Sequence, residues 1–329
     1  MKTLVTGAAG FLGSFLSEEL LKNNYEVVGI DNFFRGKEEY LPEHKNFTFY
    51  ELDLVNKYNK FAGIVKKEKP ELLFHYAAIN GTKYFYDIPY EVLNKNIKMT
   101  QNVINACINS TVEKIIYASS SEVYGDPLKI PTPETHPILL NVHTDRDSYA
   151  SSKAISEFYI KLFAKKNNID FLILRIFNTY GPNMDTSEYG QVIPEFINKM
   201  FKNKEFTIIG DGKQTRSFCY VTDHTRLVRK IIENISNEVI NIGNDKETQI
   251  VDLAEMIHKI EKKKFYPKYL PGREYDHKRR CPDITKLKKI IKDFPKITLN
   301  EGLYKTLKTY KKNKFSKVLK LYNEKNLGS

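Results

Sequence analysis

Short apolar runs and helically spaced segments alternate along the first 180 residues. KTLVTG, EVVGID, FTFYELD, ELLFHYAA, KIIYASSS and FLILRIFN contain β-branched residues and end in turn-forming or polar residues, which predicts strands. Between them FLGSFLSEELLKNN, VNKYNKFAGIVKKEK, EVLNKNIKMTQNVINACINS and SSKAISEFYIKLFAKKNN carry apolar residues at helical spacing. Strand and helix repeated in this way predict an α/β fold, a doubly wound parallel sheet covered on both faces. Beyond residue 180 the alternation loosens: EFINKMFKN and VDLAEMIHKIEKK read as helices, and FTIIGDG, NEVINIG and KFYPKYLPG as extended chain. Residues 1–180 are expected to form one unit, to which some later segments return. Residues 181–329 are expected to form a smaller, interleaved lobe.

A chain of 329 residues with 41% hydrophobic and 28% charged residues can bury a large core. It contains no apolar run of about 18 residues, so no membrane span is expected. MKTLVTGAAG lacks the layout of a signal peptide, and the three cysteines, Cys107, Cys219 and Cys281, are widely spaced. Together these point to a reduced, cytoplasmic protein without a metal site. The net charge of +12 suits nucleic acid or an anionic membrane, but the lysines are spread along the chain. The basic stretch KTLKTYKKNKFSKVLK is expected to be a solvated helix face, and neither nucleic acid nor membrane is expected as a partner.

TGAAGFLG follows the first strand and opens the first helix, placing Gly7, Gly10 and Gly13 where a chain turns sharply against a pyrophosphate. Free amides and the positive dipole end of the helix would face the phosphates. Asp31 closes the second strand, eighteen residues after Gly13. Its carboxylate would accept hydrogen bonds from the adenosine ribose and repel a 2′-phosphate, favouring NAD, although Arg35 nearby suits NADP. Asp53, after the third strand, is either an adenine contact or a helix cap. These features make the first unit a Rossmann domain.

SYASSK sets Tyr149 and Lys153 one helical turn apart on one face. A neighbouring ammonium stabilises a phenolate, which could then take a hydroxyl proton as hydride leaves the same carbon. TGAAGFLG, Asp31, HYAA, SSSEVYG, YASSK, RIFNTYGP and GDGKQTRSFCYVTD together resemble the extended short-chain dehydrogenase/reductases that modify nucleotide sugars. The resemblance, which runs to about residue 310, implies a nucleotide-diphosphate sugar as substrate and NAD as cofactor. It implies that Ser120 binds the sugar beside its reacting hydroxyl, that Tyr149 is the base, and that Lys153 holds the nicotinamide ribose. It implies cofactor contacts from Phe11, Leu12, Asn32, Leu54, Tyr76, Ala77, Ala78 and Asn96, and substrate contacts from Asn178 and Arg216. Arg280 is expected to reach the active site or the pyrophosphate. A homodimer through helices at about 91–109 and 150–167 is a further implication.

The shared chemistry is transient oxidation at the sugar C4. Glu122, beside Ser120 and Ser121, bears on the fate of the 4-ketone. A 4-epimerase has no evident use for a second carboxylate, whereas decarboxylation or 4,6-dehydration does. DNFFRG, SEVYGDP and RIFNTYGPNM resemble the UDP-glucuronate decarboxylases most. NGTKYFYDIP, THPILLNVHTDRDSYASSK, Asn183 and KDFPKITLNEG depart from their pattern. The alternatives are a 4-epimerase or 4,6-dehydratase of a UDP-, GDP- or CDP-hexose, and, more distantly, a non-enzymatic NAD-binding sensor.

Overall fold

The computed structural model describes residues 1–326 apart from 186, 188–189, 203–204, 273–277, 293 and 295–296, with side chains described to residue 312. Seven parallel strands form the central sheet: β1 (Lys2–Thr6), β2 (Glu26–Asp31), β3 (Phe47–Glu51), β4 (Leu72–His75), β5 (Lys114–Ser120), β6 (Asp170–Ile176) and, after an excursion, β11 (Glu238–Ile242). The order across the sheet is β3-β2-β1-β4-β5-β6-β11, so the winding reverses between β1 and β4. This is a Rossmann fold. A crevice opens beyond the carboxyl ends of the strands at such a reversal.

Six strands match the predicted runs because both faces of the sheet are buried, and successive apolar residues feed opposite layers. Val5, Phe74, Ile116 and Leu172 pack against α1 (Phe11–Lys22), α7 (Val221–Ile232) and α9 (Thr285–Ile290). Their neighbours Leu4, Leu73, Ile115 and Ile173 pack on the other side, against α2 (Tyr58–Glu68), α4 (Pro89–Ala106) and α5 (Asp147–Asn167). Each such side chain contributes about 1.5–3 kcal/mol when fully buried.

The rest of the chain forms a lobe over the crevice. It comprises α6 (Val192–Phe201), α8 (Ile250–Ile260), α10 (Leu299–Asn326) and short strand pairs. β7 (Thr179–Tyr180) pairs with β10 (Cys219–Tyr220), and β8 (Thr207–Ile209) with β13 (Lys268–Leu270). β9 (Thr215–Ser217) lies between β12 (Glu247–Gln249) and β14 (Arg279–Arg280). Tyr180, Ile193, Phe196, Ile208, Leu253 and Leu303 belong to the core of this lobe. One further helix, α3 (Tyr84–Asp87), precedes α4.

Three departures from the sequence-based expectation have local causes. NEVINIG, assigned to the lobe, contains β11 and extends the central sheet beside β6. Helix α7 is absent from the predicted elements because Asp223, His224 and Thr225 are buried polar residues that mask its apolar period. α5 begins at Asp147, four residues before the predicted segment, so Tyr149 lies in its first turn. The basic stretch lies on α10, where Lys305, Lys308 and Lys311 are exposed; its side chains from 313 onward lie outside the described residues.

The glycine turn is tight. Gly7 sits at φ +75°, and a methyl on Gly13 would lie 2.0 Å from the Gly7 carbonyl oxygen. Gly13→Ala is therefore expected to displace the β1–α1 turn, lowering the melting temperature and weakening dinucleotide binding by at least tenfold. Calorimetric titration with NAD checks this, and wild-type affinity would contradict it.

Candidate active site

One continuous cleft of about 1190 Å³ runs along the carboxyl ends of the strands. At one end it is lined by Gly7, Gly10, Phe11, Leu12 and Gly13, then by Asp31, Asn32, Asp53 and Leu54, with Tyr76, Ala77 and Ala78 on the wall. Asp31 is buried; its carboxylate accepts from the Ala9 amide at 3.0 Å and the Phe33 amide at 2.8 Å. Burial raises its pKa above the usual carboxylate value, while the amides of Phe33, Ala9, Asn32 and Gly10 pull it down. Asp53 lines the cleft and also caps the following turn, accepting from the Val55 amide at 2.8 Å. The close approach of bare backbone at Gly7 and Gly13 and the carboxylate at the end of β2 fit a dinucleotide with an unmodified ribose. Arg35 does not face such a ribose with a free guanidinium: its Nη2 donates to Asp185 at 2.9 Å.

Asn96, expected as a cofactor contact, is not among the residues that line the cleft. It lies behind the cleft wall, where its carboxamide accepts from the Ile79 amide (2.8 Å) and donates to the Ile79 carbonyl (3.1 Å) and Ser152 Oγ (3.2 Å). Both of its N–H donors are committed in this way, so the side chain shapes the loop after β4.

At the chemical end, α5 presents Tyr149 and Lys153 to the tip of β5. Both are buried, at 6% and 2% exposure. Lys153 Nζ donates to the Ala118 carbonyl at 2.7 Å and lies 4.7 Å from the centre of the Tyr117 ring. Burial lowers its pKa from 10.5 to about 7, with Glu157 opposing the shift. Burial raises the Tyr149 phenol above its ordinary value, the Glu122 charge raises it further, and a hydrogen bond with Ser120 and the charge of Arg35 lower it. Phe85 stacks on the Tyr149 ring, centroids 4.8 Å apart and planes 12° from parallel, and fixes its tilt. Ser120 also accepts from the Glu122 amide at 3.2 Å, so one hydroxyl orders both groups. Ser121 lines the cleft beside them.

Glu122 is paired. Arg280 Nη1 donates to Oε1 and Arg146 Nη1 lies 3.4 Å from Oε2. Arg280 also donates to the Gly125 carbonyl at 3.3 Å and lines the cleft. β9 and β14 bring Arg216 into register with Arg280, and Arg216 lines the same cleft. Asn178 lines it too, with a buried Nδ2 that has no hydrogen-bond partner, as a ligand-facing amide would.

Arg146 and Phe85 are absent from the residues expected on sequence grounds. Arg146 precedes Tyr149 by three residues, and that spacing could have revealed it. Phe85 sits in NGTKYFYDIP, where no periodicity marks it.

The buried ammonium yields a test with a definite sign. A lysine whose folded pKa lies below its unfolded value costs stability when charged, and the cost fades as pH rises from the folded to the unfolded pKa. Lys153→Met removes that dependence. Its melting temperature relative to the parent is expected to be most favourable below pH about 7 and to fall toward pH about 10. Scanning calorimetry across this range checks it, and a flat difference would mean that the ammonium is not held in a low-dielectric site.

Residues 3–243 match the model of the NAD dependent epimerase/dehydratase family. The chain is 32% identical over 318 residues to a UDP-N-acetyl-alpha-D-glucosaminuronate decarboxylase of Bacillus cytotoxicus, covering 94% of this chain and 98% of that one. It is 32% identical over 307 residues to UDP-glucuronic acid decarboxylase 5 of Arabidopsis thaliana, covering 92% and 87%. The Thermotoga maritima UDP-glucose 4-epimerase, solved with UDP-glucose, superposes with a TM-score of 0.88 at 32% identity over 95% of this chain and 99% of that one. UDP-glucuronic acid 4-epimerase from Bacillus cereus, solved with UDP-glucuronic acid and NAD, gives 0.85 at 32% identity, again over 95% and 99%. The chain belongs to the NAD-dependent epimerase/dehydratase family and is an NAD-dependent nucleotide-sugar-modifying enzyme.

Proposed function

We propose that this enzyme decarboxylates a UDP-hexuronate, with UDP-glucuronate the best match. The observation that carries the reading is Glu122, set beside Ser120 and bracketed by Arg280 and Arg146. A neutral hydroxymethyl group at C6 would have no use for two guanidinium groups at this depth. A carboxylate there has cations to meet, and an arginine holds a carboxylate through paired hydrogen bonds. Both decarboxylase relatives support the same substrate class.

Bound NAD supplies the acceptor for hydride from the sugar C4. Gly7, Gly10, Gly13 and Asp31 hold it, and Lys153 takes the nicotinamide ribose. Phe11, Leu12, Asn32, Asp53, Leu54, Tyr76, Ala77 and Ala78 complete that contact set. Ser120 hydrogen-bonds the C4 hydroxyl and Tyr149 removes its proton. The resulting ketone lies β to the C5 carboxylate, so the C5–carboxyl bond can break, releasing carbon dioxide and leaving its electron pair in an enolate at C4 and C5. Ser120 and the protonated Tyr149 steady the enolate oxygen. Arg146 and Arg280 hold the carboxylate until it leaves, while Glu122 keeps them in place. Return of a proton to C5, of hydride to C4 and of the Tyr149 proton to O4 gives the pentose nucleotide. Asn178 and Arg216 face the diphosphate. Residues 1–180, joined by the later segments α7, β11 and α9, form the NAD-binding unit and 181–329 mainly the nucleotide-sugar lobe, the whole being a cytoplasmic lyase.

A 4-epimerase is the second reading, favoured by the likeness to the Bacillus cereus enzyme solved with UDP-glucuronic acid. Mass spectrometry decides between them. Incubation with UDP-glucuronate is expected to release carbon dioxide and a UDP-pentose, and Glu122→Gln to slow this about a hundredfold or more while NAD binding persists. A product of unchanged mass would make the enzyme an epimerase, and full turnover by Glu122→Gln would remove Glu122 from the chemistry.

The outer face of α5 supports a homodimer. Ile155, Phe158, Tyr159 and Leu162 are exposed at helical spacing, Phe158 by 60% and Leu162 by 61%. An apolar stripe of this kind needs cover. The neighbouring α4 meets it through a bond from Gln101 to the Tyr159 hydroxyl at 2.9 Å. The double variant Phe158→Glu, Leu162→Glu is expected to convert dimers to monomers in light scattering. A monomeric parent would sink the dimer.

A further inference from the structure

Arg35 and Asp185 lie on opposite banks of the cleft, 150 residues apart in sequence, and both line it. Arg35 stands on the loop after β2. That loop is tied to the glycine turn by the Lys37 amide, which donates to the Ala9 carbonyl at 3.0 Å. Asp185 follows β7 in the lobe. Its neighbour Met184 is anchored by the Tyr310 hydroxyl, which donates to the Met184 carbonyl at 2.7 Å. The guanidinium reaches across to Asp185 at 2.9 Å and lies 5.8 Å from the centre of the Tyr84 ring, which also meets Phe34. Both side chains are partly buried, at 24% and 31% exposure, and Arg35 Nε is buried with no hydrogen-bond partner. The bridge therefore joins the loop that touches the phosphate-binding turn to the lobe, at the mouth of the groove that would receive the dinucleotide.

We propose that Arg35 and Asp185 form a clasp over the dinucleotide groove that sets how fast the cofactor leaves. The cofactor ends each cycle as it began it, so turnover does not require its release, and a barrier to escape costs the reaction nothing. Arg35 is suited to a clasp because it holds Asp185 by a charged hydrogen bond and Tyr84 by its flat face, while its Nε remains available to a phosphate oxygen. The proposal holds whichever sugar the enzyme takes.

The test is NADH release from the loaded full-length protein, followed by loss of bound-NADH fluorescence after a chase with excess NAD. Asp185→Asn and Arg35→Met are each expected to speed release about fivefold, the scale of one partly exposed ion pair plus a ring contact. The exchanged pair Arg35→Asp, Asp185→Arg is expected to recover at least half of the loss. Parent release is expected to quicken between about 50 and 500 mM salt and that of Asp185→Asn to respond less. Unchanged release in both single variants overturns the clasp. So does faster release that the exchange does not repair and that responds to salt as the parent does, because that describes general loosening. If the variants fail to fold, the parent decides: release insensitive to salt overturns it.

Discussion

The ammonium of Lys153 is buried, and the tip of β5 is fastened to α5 through it. Lys153 donates to the Ala118 carbonyl at 2.7 Å, and one turn further along the helix Glu157 accepts from Ser119 Oγ at 2.5 Å. Two bonds one turn apart fix the rotation of strand end against helix, and so set Ser120 and Tyr149 facing each other. Glu157 in turn is forked by Arg175 from β6, at 3.0 and 2.8 Å, and Arg175 lies 4.8 Å from the centre of the Tyr124 ring. A buried ion pair is costly unless its remaining donors and acceptors are met. Here Ser119 and the Glu134 carbonyl meet them, the latter at 3.2 Å from Arg175 Nη1. The back of the active site is thus a satisfied polar network whose rigidity serves the hydroxyls in front of it.

In front of that network the charges are left unbalanced. Burial and the Glu122 charge push the Tyr149 phenol up, and Ser120 and Arg35 do not offset them. Burial also brings Lys153 down, to about 7. A positive charge brought beside Tyr149 would favour the phenolate against this burial.

Much of this was legible in the sequence because strand, helix and turn chemistry agreed with one another. Two-sided burial wrote the strands as apolar runs, the tight turn demanded Gly7 and Gly13, and Tyr149 and Lys153 announced themselves by helical spacing. The hidden features depend on contacts between distant segments. Nothing local to Glu122 says that Arg280, 158 residues away, would pair with it. Asn96 is a cofactor contact only by the resemblance, and nothing local to it announces the bond that its amide makes to Ile79. Helix α7 was concealed by Asp223, whose carboxylate accepts from the Ile297 amide at 3.0 Å, a partner that only the folded chain supplies.

The path of the chain limits how the cleft can close. After β6 it leaves the sheet to build β7, α6, β8, β9 and β10, then returns through α7 to lay down β11 beside β6. The lobe is therefore sewn into the sheet at both ends of this excursion, with Phe177 held by a bond from its amide to the Ile242 carbonyl at 2.9 Å. A unit joined by one linker can swing freely; a unit whose chain crosses at β6, α7 and β11 has fewer ways to move. Side chains that span the cleft tie its two sides further. Two ion pairs at the cleft, Arg280 with Glu122 and Arg35 with Asp185, are such crossings, one at the reacting end and one at the mouth. Their placement follows from the topology: the excursion after β6 sets lobe residues opposite the strand ends, and the longest charged side chains are those that can span the gap between them.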